Sequence, residues 1–198
     1  MKVLLVWMMV GWTSVILADE AAQVAEIRTW YNTIQEGRAS GEKKIEFQAE
    51  KASLGGEVII RDYADGLKAI TISYRAGDHG SADEHFYYRK GILFFVFLEQ
   101  SHWRLTDELD AEGVPVIQDT RVEQRIFLAD GFFFRILRRK ATGKRTENVE
   151  KLIAEVGQKK VEAGDGTAEY IQRGRGLLAA KTDAEVLTVF GPDYVPAK

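Results

Sequence analysis

Three histidines, His79, His85 and His102, are the side chains best suited to ligate a metal or to exchange protons near neutral pH. They come from separate segments, and none belongs to a His-Glu-x-x-His spacing that would set two ligands on one helix face. The sequence holds no cysteine, which excludes thiolate zinc sets, thiol nucleophiles and disulfides. Gly80-Ser81-Ala82 does not reproduce the Gly-x-Ser-x-Gly nucleophile elbow, and no phosphate-cradling glycine loop occurs. Acidic pairs such as Asp83-Glu84 and Asp107-Glu108 arise freely in a chain with 30 acidic residues, so neither is assigned as an acid and base. Catalytic residues stay unassigned, and neither metal nor cofactor is expected.

Binding chemistry is better represented. Trp103 stands between His102 and Arg104, outside the apolar alternation around it, where a large aromatic serves either as a plug over the end of a sheet or as an exposed anchor. Arg135, Arg138, Arg139, Lys140, Lys144 and Arg145 form the dense basic run. Cations on an edge strand deter edge-to-edge aggregation, and the same cluster attracts an anionic partner such as an acidic protein or a lipid headgroup.

These residues depend on regular elements that the hydrophobic period announces. From Ala21 to Gln35, apolar Val24, Ile27, Tyr31 and Ile34 recur at three- and four-residue steps, which predicts an amphipathic helix. After Gly41 the period becomes two, with Ile45, Phe47 and Ala49 alternating with charges, as in a half-buried strand. Three hairpins follow, turning at Ala64-Asp65-Gly66, Lys90-Gly91 and Asp130-Gly131; Asp-Gly suits a tight turn that needs positive φ. With a two-residue loop at Asp130-Gly131, Phe127 faces Phe134, Arg125 faces Ile136 and Glu123 faces Arg138. The strand from Ile92 to Leu98 is apolar on both faces and predicts the sheet centre, with a layer on each side. Ser101 to Asp119 reads as a long connection carrying Trp103 and an acidic run. Beyond Gly143, helical spacing returns at Val149, Leu152, Ile153 and Val156, and again from Ala168 to Lys181, before a tail marked by Pro192 and Pro196. The fold class expected is α+β: an antiparallel meander of about six to seven strands, with an N-terminal helix and C-terminal helices packed on it.

The stretches from Glu84 to Phe97 and from Glu123 to Leu137, each an aromatic strand, a polar-Gly turn and a second aromatic strand, resemble a loose group of uncharacterised exported bacterial proteins. The likeness runs roughly from Val24 to Leu178. It implies the helix-then-meander architecture and no particular chemistry.

Met1-Lys2, the apolar run from Val3 to Leu17 and the small residue Ala18 before Asp19 have the three parts of an export signal, so residues 1–18 are expected to be removed and 19–198 to form one domain. Export makes the expected location periplasmic or secreted, with no transmembrane segment left after cleavage. A net charge of −3, one unit more negative without Lys2, gives no reason to expect nucleic acid. The expected function is a non-catalytic binding or interaction module of the bacterial envelope, its partner a protein or an anionic envelope component. The residues expected to bind are Trp103, His102, Arg104, Arg135, Arg138 and Arg139. The alternative is an envelope hydrolase whose site is assembled from scattered polar residues.

Overall fold

A computed structural model describes residues 4–49, 54–164 and 166–190. Helix α1 (Leu4–Glu36) leads into an antiparallel meander of seven strands: β1 (Gly41–Gln48), β2 (Leu54–Asp62), β3 (Leu67–Ala76), β4 (Gly80–Arg89), β5 (Ile92–Leu109), β6 (Pro115–Ala129) and β7 (Phe132–Lys144). The chain closes with α2 (Val149–Glu155), a two-residue β8 (Lys159–Lys160), α3 (Gly166–Ala179) and α4 (Asp183–Thr188). The eight strands lie in sequence order across one sheet, and every neighbouring pair is antiparallel. The α+β class and the meander are as the sequence predicts.

The central strands are covered on both faces near the tight turns, which is why Leu93–Val96 carries no polar alternation. On one face, called the α1 face, Val24, Ile27 and Ile34 of α1 are buried with Tyr87, Phe94, Phe95 and Phe127. On the opposite α3 face, Ile171 and Leu177 of α3 and Val186 of α4 pack on Phe86, Tyr88, Val96, Leu98 and Ile126. Each such aliphatic or aromatic side chain contributes roughly 1.5–3 kcal/mol when removed from water.

The turns at Lys90-Gly91 and Asp130-Gly131 have positive φ at both residues, as a type I′ turn requires. Two residues into the returning strand, each hairpin then takes a β-bulge. Tyr88 pairs with Leu93 but Tyr87 with Phe95, leaving Phe94 extra; Leu128 pairs with Phe133 but Phe127 with Arg135, leaving Phe134 extra. The bulge corrects the register expected from a plain two-residue loop. Ile126 faces Ile136, Arg125 faces Leu137 and Glu123 faces Arg139, one step from the unbulged pairing. Both inserted phenylalanines join the cluster under α1, where Trp30 meets Phe94 edge-on at 5.1 Å.

A second correction concerns Ser101 to Asp119, which is no loop. Strand β5 continues to Leu109, and β6 starts at Pro115, so the two make a long hairpin arm. Asp110 turns it by accepting hydrogen bonds from the backbone N–H groups of Glu112 and Val114, with Gly113 at φ 79°. The arm outruns its neighbours and buries neither face, so it lacks the apolar alternation by which strands are recognised.

Among the described residues no helix is long and apolar enough to cross a membrane. Of the segment expected as an export signal, residues 1–3 lie outside the described residues and the rest continues α1 as helix; the tail with Pro192 and Pro196 also lies outside them.

Candidate functional site

Helix α1 covers the α1 face only at the end bearing the tight turns. Past it, the sheet register lays out successive rows of side chains on one exposed floor. The first row across β3 to β6 is Thr71, His85, Phe97 and Arg125. The next is Ser73, Asp83, Glu99 and Glu123, ending on Arg139 of β7. The third is Arg75, Ser81, Ser101 and Arg121, and beyond it Trp103 stands opposite Asp119. Strand alternation explains the pattern: Asp119, Arg121, Glu123 and Arg125 are alternate residues of β6 and project from the same face.

Ion pairs tie the rows together. Arg139 makes a two-pronged hydrogen bond to the buried Glu123 carboxylate, at 2.8 and 2.9 Å. Arg121 bridges Glu99 and Glu150 of α2, each at 2.5 Å. His85 stacks on Phe97, its Nδ1 lies 3.2 Å from the Thr71 hydroxyl, and its Nε2 lies 3.6 Å from the Glu99 carboxylate, beyond a formed hydrogen bond. The His85 imidazole and the Arg121 guanidinium hold the Glu99 carboxyl below its usual range, against partial burial that pushes it up.

Thr71, His85 and Glu99 place a hydroxyl, an imidazole and a carboxylate in sequence, an order known from nucleophilic catalysis. Thr71 sits in the middle of β3, between Ile59 of β2 and His85 of β4. Backbone N–H groups there are engaged in the ladders, so no pair of free donors converges beside the hydroxyl to hold an oxyanion. Among the described residues, no group of three or more His, Asp or Glu side chains is arranged to hold a metal ion.

The floor ends in a cleft of about 760 Å³ bounded by the β3–β4 turn, the root of the β5–β6 arm and the start of α2. Trp103 forms its wall. Its ring lies 3.9 Å from that of His79, centroid to centroid, and the Arg145 guanidinium sits 5.2 Å over it. Arg145 is held by Asp119 at 3.1 Å. Trp103 is half-buried, whereas Arg75, across the cleft, is exposed, and its side chain makes no ion pair or hydrogen bond among the described residues.

No protein family, curated protein or solved structure matches this chain.

The sheet divides the six binding residues expected from sequence into two sets. Trp103, Arg135 and Arg139 belong to the α1 face, where Arg139 is committed to Glu123 and Arg135 lies 3.8 Å from Glu20 of α1. His102, Arg104 and Arg138 project from the α3 face with Lys140. Partial burial, then the Lys140 and Arg104 charges, lowers the His102 pKa, which marks a positive local potential there. Arg75, Glu99, Asp119 and Arg121 were not expected at a site. The alternation Asp119, Arg121, Glu123, Arg125 is the signal that would have found the last two, had the segment been read as a strand.

Proposed function

We propose that this protein is a non-catalytic binding module of the bacterial envelope, exported after loss of residues 1–18, which captures its partner on the uncovered part of the α1 face. The observation that carries the reading is the cleft at the end of that floor, where Trp103 offers an apolar ring and Arg75, on the other side, a cation with no ion-pair partner among the described residues. Concave sites with a few convergent polar groups are where ligands bind, and a tryptophan there supplies contact area at low entropic cost. The exposed Arg75 suits an anionic group on a protein or other envelope component. The backbone beside the Thr71 hydroxyl is taken up by the ladders to β2 and β4, which supports binding over hydrolysis.

The test compares wild type, Trp103→Ala and Arg75→Ala in capturing partners from the native envelope fraction, with each protein's thermal melt recorded alongside. Trp103 leans on His79 and Arg145 rather than on the core, so its removal leaves the melt nearly unchanged while weakening capture by roughly 2 kcal/mol or more. Wild-type capture by both variants overturns the reading. So does a loss of several kcal/mol in stability on Trp103→Ala, which makes the residue a plug. Intact-mass measurement of protein from the native host checks export; retention of Met1 overturns it.

A further inference from the structure

Two corners of the molecule expose large apolar side chains, and their charge separates them. At the tip of the β5–β6 arm, Leu105, Leu109 and Val114 are more than half exposed among Asp107, Glu108, Asp110 and Glu112, with Lys144 of β7 paired to Glu108. At the opposite end of the sheet, Ile92 is 52% exposed, Phe132 77% and Phe133 45%. These last three occupy neighbouring hairpin corners, residues 88–93 and 128–135, which carry Arg89 and Lys90 with the acid Asp130, and Arg135 paired to Glu20 of α1. Arg175 of α3 adds a further cation by donating a hydrogen bond to the Gly131 carbonyl at 3.1 Å.

From this geometry we infer that the corner formed by Ile92, Phe132 and Phe133 docks on an anionic lipid bilayer. Phe132 and Phe133 are adjacent on a strand, so they project to opposite sides of the sheet and together wedge its end, a shape suited to insertion at the headgroup level. Such an apolar tip within a cationic surround draws on burial of hydrocarbon and on attraction to anionic lipid, and the two together anchor where either alone is weak. The acidic arm tip is repelled by the same surface. Docking at this end turns the Trp103 cleft, at the far end of the strands, away from the membrane.

The absence of native cysteine permits a direct test with the full-length chain. Phe132→Cys, Ile92→Cys and Leu109→Cys are each labelled with an environment-sensitive fluorophore and mixed with vesicles of phosphatidylglycerol and phosphatidylcholine, or of phosphatidylcholine alone. The labels at 132 and 92 are expected to shift to the blue and become protected from an aqueous quencher on the mixed vesicles, less so on pure phosphatidylcholine, while the label at 109 stays in water. Phe132→Ser with Phe133→Ser is expected to weaken partitioning of the unlabelled chain about tenfold or more. The inference is overturned if the chain floats with vesicles while the label at 132 remains quenched, since the N-terminal segment alone then holds it. Protection at 109 instead of 132, or no vesicle binding, also overturns it. Protection at 132 that grows with protein concentration in the absence of vesicles assigns the corner to a second copy of the chain and overturns it too.

Discussion

The hydroxyl of Tyr88, on a central strand, donates a hydrogen bond to the backbone carbonyl of Gly174 in α3 at 2.6 Å. This close approach of helix to sheet needs glycine. A Cβ at 174 would lie 2.6 Å from a Phe86 ring carbon and 3.1 Å from the Tyr88 hydroxyl oxygen, and both side chains are fully buried. Gly174→Ala is therefore expected to destabilise the fold by about 1–3 kcal/mol, the cost of overpacking, measured by urea unfolding. Tyr88→Phe removes only the hydrogen bond, and about 0.5–1.5 kcal/mol is expected from it.

Beside this contact, Arg173 reaches Glu84 across the same interface, and Tyr74 donates its hydroxyl hydrogen to the Glu84 carboxylate at 2.6 Å. Glu84 is fully buried. Arg173→Met strands that carboxylate, so a loss of about 3–5 kcal/mol is expected. Adding Glu84→Leu removes the stranded charge and is expected to recover part of the loss. Denaturation midpoints that place the double variant below the Arg173→Met single would refute a pair held in place by mutual neutralisation.

Phe95 lies under α1 with Tyr31, Tyr87 and Phe127 around its ring, at centroid distances of 5.6, 5.6 and 5.1 Å. Phe95→Ala empties the middle of that cluster and is expected to cost about 3–5 kcal/mol. An unchanged thermal melt would show that the strand is peripheral.

Glu99 is held below the usual carboxylate range by His85 and Arg121. The folded state then binds its proton less readily than the unfolded chain, so the stability contributed is present above about pH 4.3 and is lost as pH falls through the lower folded value. Arg121→Ala is expected to raise the Glu99 midpoint and to narrow the acid dependence, followed by carboxyl NMR shifts and by melts between about pH 2 and 6.

His102 is expected to titrate below the ordinary imidazole value of about 6.5, because partial burial and the Lys140 and Arg104 charges oppose its protonation. Stability linked to this group therefore rises as pH increases through the window between the lowered and the ordinary value. Lys140→Gln is expected to move the NMR midpoint upward. An unmoved midpoint would remove the positive potential assigned to this strip.

Much of the architecture can be read from the chain because its hairpins declare themselves locally. Gly91 and Asp130-Gly131 adopt the positive φ their residue types favour, and Leu93–Val96 is apolar because helices cover it on both sides. What escapes the sequence is what packing decides. The bulges at Phe94 and Phe134 have no compositional marker; they arise where an extra ring fills the space under α1. The arm from Ser101 to Asp119 escapes because a strand without a core to face has no reason to alternate apolar and polar residues. The site suffered accordingly. His102, Trp103 and Arg104 look like one cluster on a loop, yet on a strand successive side chains point to opposite faces, so Trp103 joins the α1-face floor while His102 and Arg104 belong to the other face.

The unbroken strand order has a consequence for how this protein assembles. Each ladder from β1 to β7 joins neighbours in sequence, so the meander grows by local zipping, with little loop-closure entropy to overcome at any step. By residue 144 every long strand is in place. The α3 face, with Phe86, Tyr88, Val96 and Leu98, nevertheless stays open to water until residues 166–190 supply α3 and α4. A nascent chain halted before that point presents a finished sheet with one bare greasy side, a species prone to aggregate or to engage a chaperone. Residues 166–190 thus act as the closing step of synthesis, converting a sticky half-molecule into a sealed one.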